Sequence, residues 1–112
     1  MSNFAIDDDL SPYFLHHSDN PSLVLVSQPL IEDNYTSWTW AMLIVLSVKN
    51  KLGFIDGSIR RPTIGDPFLN AWICNNHIVI SWILNLVSKE ILANVIYSES
   101  AHDIWTNLKE GY

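Results

Sequence analysis

A chain of 112 residues supplies one hydrophobic core and leaves no room for a second. Apolar residues make up 48% and charged ones 16%, the latter well under the about 25% usual for a soluble domain, so apolar surface is expected to remain for a partner to cover. Twelve acids against six bases give a formal net charge of −6. The bases sit in two small pairs (Lys49 and Lys51, Arg60 and Arg61) plus Lys89 and Lys109. Direct binding of RNA or DNA is therefore not expected, because neutralising phosphates needs Lys and Arg gathered on one face.

The single cysteine, Cys74, excludes an internal disulfide and fits a reducing compartment. Met1 to Asp9 carries three consecutive acids and lacks the basic start and apolar stretch of a signal peptide. No run approaches the roughly 18 apolar residues that would span a bilayer. The expectation is a cytoplasmic protein with no membrane partner.

Residues 1–22 read as a flexible N-terminal arm. Asp7, Asp8 and Asp9, then Ser11-Pro12 and Asn20-Pro21, supply turn and breaker signals without periodicity. Leu23 to Val26 is apolar and rich in β-branched residues, suited to a short strand or to an extended path over the core, and Pro29 ends any regular element there. The first helix is expected from Asp33 or Asn34, either of which can cap free N–H groups, to the Lys49–Lys51 region, with Gly53 as its stop. Its middle is apolar all round, which predicts a buried helix. Residues 53–65 read as a loop or short hairpin around the Asp56-Gly57 turn signal.

Asp66-Pro67 has the form of a cap followed by proline at the first helical position. Asn70, His77, Ser81, Asn85 and Ser88 then recur at helical spacing as one narrow polar stripe, flanked by apolar residues on both sides. Ser88 starts another helix, from about Lys89 to Tyr97, with Ile91, Leu92, Val95 and Ile96 inward. Ser100 with Asp103 resembles a capping box and opens a last helix with Ala101, Ile104, Trp105 and Leu108 on its apolar face. The predicted fold is an all-α bundle of about four helices over residues 23–112.

Several short words stand in an order that resembles the N-terminal domain of Copia-type LTR retrotransposon Gag polyproteins. They begin with Asn20-Pro21, Leu25-Val26-Ser27-Gln28-Pro29-Leu30, Asn34-Tyr35, Ser37-Trp38 and Ala41-Met42. Lys49 to Ile59, Pro62, Asp66-Pro67, Trp72, Cys74-Asn75, Ser81-Trp82, Leu84-Asn85 and Val87-Ser88 follow, and Asp103-Ile104-Trp105 and Leu108-Lys109-Glu110 close the series. The resemblance spans about residues 20–110. It implies a capsid-like role in which Gag subunits associate through helical domains during particle assembly, with other copies as partners. Departures include Glu32 where the family usually has Gly, Trp40 where a basic residue is frequent, and Gly111-Tyr112 in place of Arg-Phe. The family's further helices and zinc knuckle are absent, so the domain reads as truncated at its C-terminal end. The alternative is a decayed or domesticated Gag remnant acting as a helical interaction module.

No catalytic set is expected, nor a cofactor, metal or small-molecule substrate. Cys74 and His77 lie one helical turn apart, but zinc needs more ligands; Cys74 reads as a small buried hydrophobe and His77 as part of the polar stripe. His16, His17 and Asp19 resemble a ligand group or a base with its orienting carboxylate, in a stretch with nothing to preorganise it. The Asp7–Asp9 run reads as a solvated acidic tail. Gly53 to Gly57 lacks the Gly-Lys-Ser/Thr ending of a phosphate loop. Four of the tryptophans suit core positions, whereas Trp38 and Trp40 lie about 200° apart on a helix. One of that pair should face away from the core, and an outward Trp40 beside Leu43 and Ile44 would form an interface; the alternative, which the all-round apolar pattern supports as well, is that both are buried between packed helices.

Overall fold

The computed structural model describes residues 10–112, and the expectation for the Asp7–Asp9 run lies outside them. Five helices follow in order: α1 Tyr35–Val48, α2 Leu52–Asp56, α3 Leu69–Leu84, α4 Lys89–Val95 and α5 Ala101–Gly111. The fold is all-α, as the periodicity predicts. Among the described residues the one piece of β pairing is an isolated parallel bridge between Leu30 and Val87. There Leu30 N–H donates to Leu86 O at 2.6 Å and Ser88 N–H donates to Leu30 O at 2.8 Å.

The count of helices exceeds the expected four because residues 52–56, expected as loop or hairpin, form α2. Phe54 and Ile55 are both buried. A strand would send neighbours to opposite faces, whereas a helical turn seats both against the core. The Asp56-Gly57 turn is present: Gly57 is left-handed at φ 83° and Asp56 Oδ1 accepts from Ser58 N–H at 2.8 Å. Ile59 then folds back, its N–H donating to Gly53 O at 3.0 Å.

α1 stops earlier than expected, and without glycine. Asn50 takes the left-handed conformation (φ 58°), one that Asn tolerates better than most residues. Lys51 N–H reaches back to Leu46 O at 2.8 Å and Asn50 N–H to Ser47 O at 3.0 Å. This pair of bonds is the Schellman closure of a helix end. α3 begins at Leu69 rather than at Pro67, because Asp66 first turns the chain by accepting from Phe68 N–H at 2.8 Å. The caps predicted for α4 and α5 form: Ser88 Oγ accepts from Ile91 N–H at 3.3 Å, and Ser100 Oγ from Asp103 N–H at 3.0 Å. α4 ends at Val95, leaving Ile96 exposed rather than inward.

One core joins these elements, built from Trp38, Met42 and Leu46 of α1, Phe54 and Ile55 of α2, a broad face of α3, Ile91 and Val95 of α4, and Ala101, Ile104 and Leu108 of α5. From residue 10 the N-terminal stretch runs as turns without helix or strand and is fastened by polar side chains of the helices. Trp82 Nε1 donates to Asn20 O at 2.7 Å, Asn85 Nδ2 to Pro21 O at 2.7 Å, and Asn75 Nδ2 to Tyr13 O at 2.9 Å. Leu23, Leu25 and Val26 lie partly buried on the core, in irregular chain rather than paired as a strand.

Candidate interaction surface

The sequence of α1 is apolar on two opposite sides, and a helix in a small bundle can bury one of them. Trp38, Met42 and Leu46, spaced by four, face the core. Trp40, Ile44 and Val48, at the same spacing, face outward and are 67%, 48% and 82% exposed. Trp38 is held in place by the Trp105 ring of α5, with centroids 5.7 Å apart and planes at 27°. Of the predicted trio, Trp40 and Ile44 stand in solvent and Leu43 is partly buried beside them. The predicted all-round burial of α1 thus gives way to a one-sided burial. A shallow groove on this outer side is lined by Tyr35, Thr36, Thr39, Trp40 and Leu43.

A second groove opens at the start of α1. Asn34 shapes it, though not by capping the helix: its Oδ1 accepts from Ile31 N–H at 2.8 Å and its Nδ2 donates to Pro29 O at 2.9 Å. This locks the turn that presents Glu32 and Asp33 beside Tyr35, Trp40 and, from the end of α5, Tyr112. Tyr112 is held there by its N–H on Leu108 O at 3.0 Å.

The groups considered for chemistry are placed differently. Cys74 is exposed, not buried as expected, because it shares the outer face of α3 with Asn70 and His77, four residues before it and three after it on one stripe. The buried positions next to it belong to Asn75 and Asn76, which the apolar pattern of α3 conceals. Asn76 spends both ends of its amide on the turn before α5, donating to Glu99 O at 3.1 Å and accepting from Ala101 N–H at 2.9 Å. His16 and His17 have adjacent rings, 4.1 Å between centroids. The Asp19 carboxylate meets the backbone N–H of His16 at 3.0 Å, not its ring, and its other oxygen pairs with Lys49 Nζ at 2.6 Å. Asp19 is thus a turn-former and ion-pair partner. Among the described residues no group of three or more His, Cys, Asp or Glu gathers as a metal site would require, and no helix is long and apolar enough to cross a membrane.

Lys51 is the titratable group most altered by the fold. It is fully buried, with Nζ donating to Pro12 O at 2.7 Å and Phe14 O at 2.6 Å. Burial pushes its pKa down to about 8, opposed by the Asp19 charge and aided by Lys49. The sequence places it only at a helix end, where a cation suits the dipole. His102 was also missed: its Nδ1 lies 2.9 Å from Ile55 O, tying α5 to α2 beside a cleft that includes Arg60, Arg61 and Trp72.

Residues 16–63, which hold the N-terminal turns, α1 and α2, match the family model described as the Gag-polypeptide of LTR copia-type. Over this segment, a little under half of the chain, the protein is similar to Copia-type Gag. The Gag family is a structural, non-enzymatic part of a polyprotein. The outward face of α1 lies inside the matched residues, whereas α3 to α5 lie beyond them. No curated protein sequence and no solved structure matches the chain.

Proposed function

We propose that this Gag-type domain is a structural subunit that associates with copies of itself, without enzymatic activity, in the cytoplasmic assembly of a retrotransposon particle. The observation that carries the reading is the Trp40–Ile44–Val48 stripe, an exposed apolar row on the Gag-matched helix. The helix packs through its other side, so this row is free to meet a second copy without disturbing the core. Burying such side chains contributes about 2 kcal/mol each. Three of them offset only part of the cost of association, so the contact gains strength when repeated across many subunits. Trp40 is the anchor, since central interface aromatics dominate binding energy. The low charge and the net −6 support protein contacts over direct contact with nucleic acid.

Sedimentation velocity of residues 1–112 over a concentration series tests this. Association that rises with concentration, and falls by about tenfold in affinity with Trp40→Ala or Ile44→Asp, is expected, because loss of a central anchor costs at least about 1.4 kcal/mol. A folded monomer at every concentration would sink self-association for this chain.

A further inference from the structure

We propose that the groove between the Ile31–Asn34 turn, the first turns of α1 and Tyr112 takes an arginine-bearing peptide, its guanidinium laid on Trp40 and directed to Glu32 and Asp33. This goes beyond self-association, since it concerns a basic partner in a groove that shares Trp40 with that contact but adds Glu32, Asp33 and Tyr112.

The groove encloses about 560 Å³ and combines two kinds of wall, aromatic and acidic. Glu32 and Asp33 are exposed, and among the described residues neither is ion-paired, the sole salt bridge being Lys49 to Asp19. Acids before a helix also favour its dipole, which accounts for their place in the chain but not for the uncovered indole next to them. Neither Trp40 nor Tyr112 stacks on another ring or holds a cation among the described residues. Two other indoles of the molecule do hold one. Lys49 Nζ lies 5.4 Å from the Trp82 ring centroid and Arg61 Cζ 5.7 Å from that of Trp72. Trp40 offers the same face with nothing on it.

Charge and desolvation select the occupant. A purely apolar segment would strip water from two carboxylates without replacing their hydrogen bonds. An anionic segment would meet both acids and the overall negative field. A cation satisfies both walls at once. Arginine does so better than lysine, because its planar guanidinium stacks on a ring while donating in a fork to carboxylate oxygens. The turn is already held by the two Asn34 side-chain bonds, so little ordering is left to oppose binding.

The test titrates the protein into a fluorescein-labelled peptide of two arginines spaced by glycine and follows anisotropy at protein concentrations below any self-association. Trp40→Ala, which leaves charge unchanged, and the pair Glu32→Gln with Asp33→Asn are each expected to weaken binding about tenfold. The charge-matched remote pair Glu99→Gln with Asp103→Asn should leave it unchanged, as should Ile44→Ala, which acts on self-association alone. A lysine version of the peptide should bind several-fold more weakly. Equal loss with the remote pair would reduce the effect to the diffuse field and overturn the site. So would insensitivity to Trp40→Ala, or equal binding of the lysine peptide. Absence of peptide binding, with Glu32→Gln and Asp33→Asn instead lowering the peptide-free sedimentation coefficient, would give the groove to a second copy and also overturn the proposal.

Discussion

Lys51 shows how a single side chain can carry a charge into the core and make stability depend on pH. Its ammonium stands between the carbonyls of Pro12 and Phe14, and burial lowers its pKa from 10.5 to about 8. The folded state therefore binds fewer protons than the unfolded chain between these two values, and stability from this group rises as pH goes from 8 toward 10.5. Over the full interval the gain is on the order of 3 kcal/mol. Tyr13 acts in the opposite sense: burial, then the Asp66 charge, raise its pKa above 10.0, so its contribution is lost only as pH climbs past that. Urea titrations from pH 7.5 to 9.5 stay clear of the tyrosine. The midpoint is expected to rise relative to that of Lys51→Met, which loses the titrating group. Parallel curves for the two proteins would show that Lys51 does not lose its proton in that range. The burial of Lys51 was not legible in the sequence, because a lysine near a helix end is ordinarily a solvated partner of the helix dipole. What buries it is a turn some forty residues earlier in the chain.

At the scale of the element, Gly57 decides where α2 ends and how the chain leaves it. Its φ of 83° is left-handed, and a Cβ there would stand 3.2 Å from His102 Cε1. Gly57→Ala is expected to cost about 1 to 2 kcal/mol, from the backbone conformation first and the crowding of His102 second. Chemical denaturation would read this directly, and an unchanged midpoint would mean that the turn relaxes freely. Asp56-Gly57 was recognisable as a turn from its residue types alone. The helix before it was not, since five residues are too few to show a period, and packing of Phe54 and Ile55 settles the matter. The stripe on α3 illustrates a similar limit. His77 and Ser81 follow the periodicity, yet Cys74 stands outside and Asn75 and Asn76 inside, because residue polarity alone cannot tell an amide that finds backbone partners from one that needs water.

Across the whole molecule, the turns of residues 10–22 close over α3 and the α1–α2 junction, and their backbone carbonyls make most of the polar contacts. Pro12, Tyr13, Phe14, Asn20 and Pro21 all accept bonds from Lys51, Asn75, Trp82 or Asn85, and the side chains of Tyr13, on Phe54 and Phe68, and of Asp19, on Lys49, add to them. Deleting residues 1–22 would leave these donors without partners, and each buried one costs about 1 to 3 kcal/mol. The shortened chain is expected to unfold at least about 10 °C below the full one, on the scale by which 1 kcal/mol moves a domain of this size by about 4 °C or more. A thermal melt followed by helical circular dichroism checks this; coincident curves would show that the turns add nothing to the fold.

The sequence by itself determined the helical class, the serine caps of α4 and α5, the inward face of α5 and the likeness to Copia-type Gag, since these depend on residue types at short, regular spacings. It also put Trp38 and Trp40 on opposite sides of α1, as helix geometry demands. Only the tertiary structure decided that Trp40 is the one left in solvent, that Lys51, Asn75 and Asn76 go inside, and that Asn34 holds a loop instead of capping a helix. Each of those outcomes depends on a partner far away in the chain or on which side of a doubly apolar helix the core occupies, and local pattern carries no information about either.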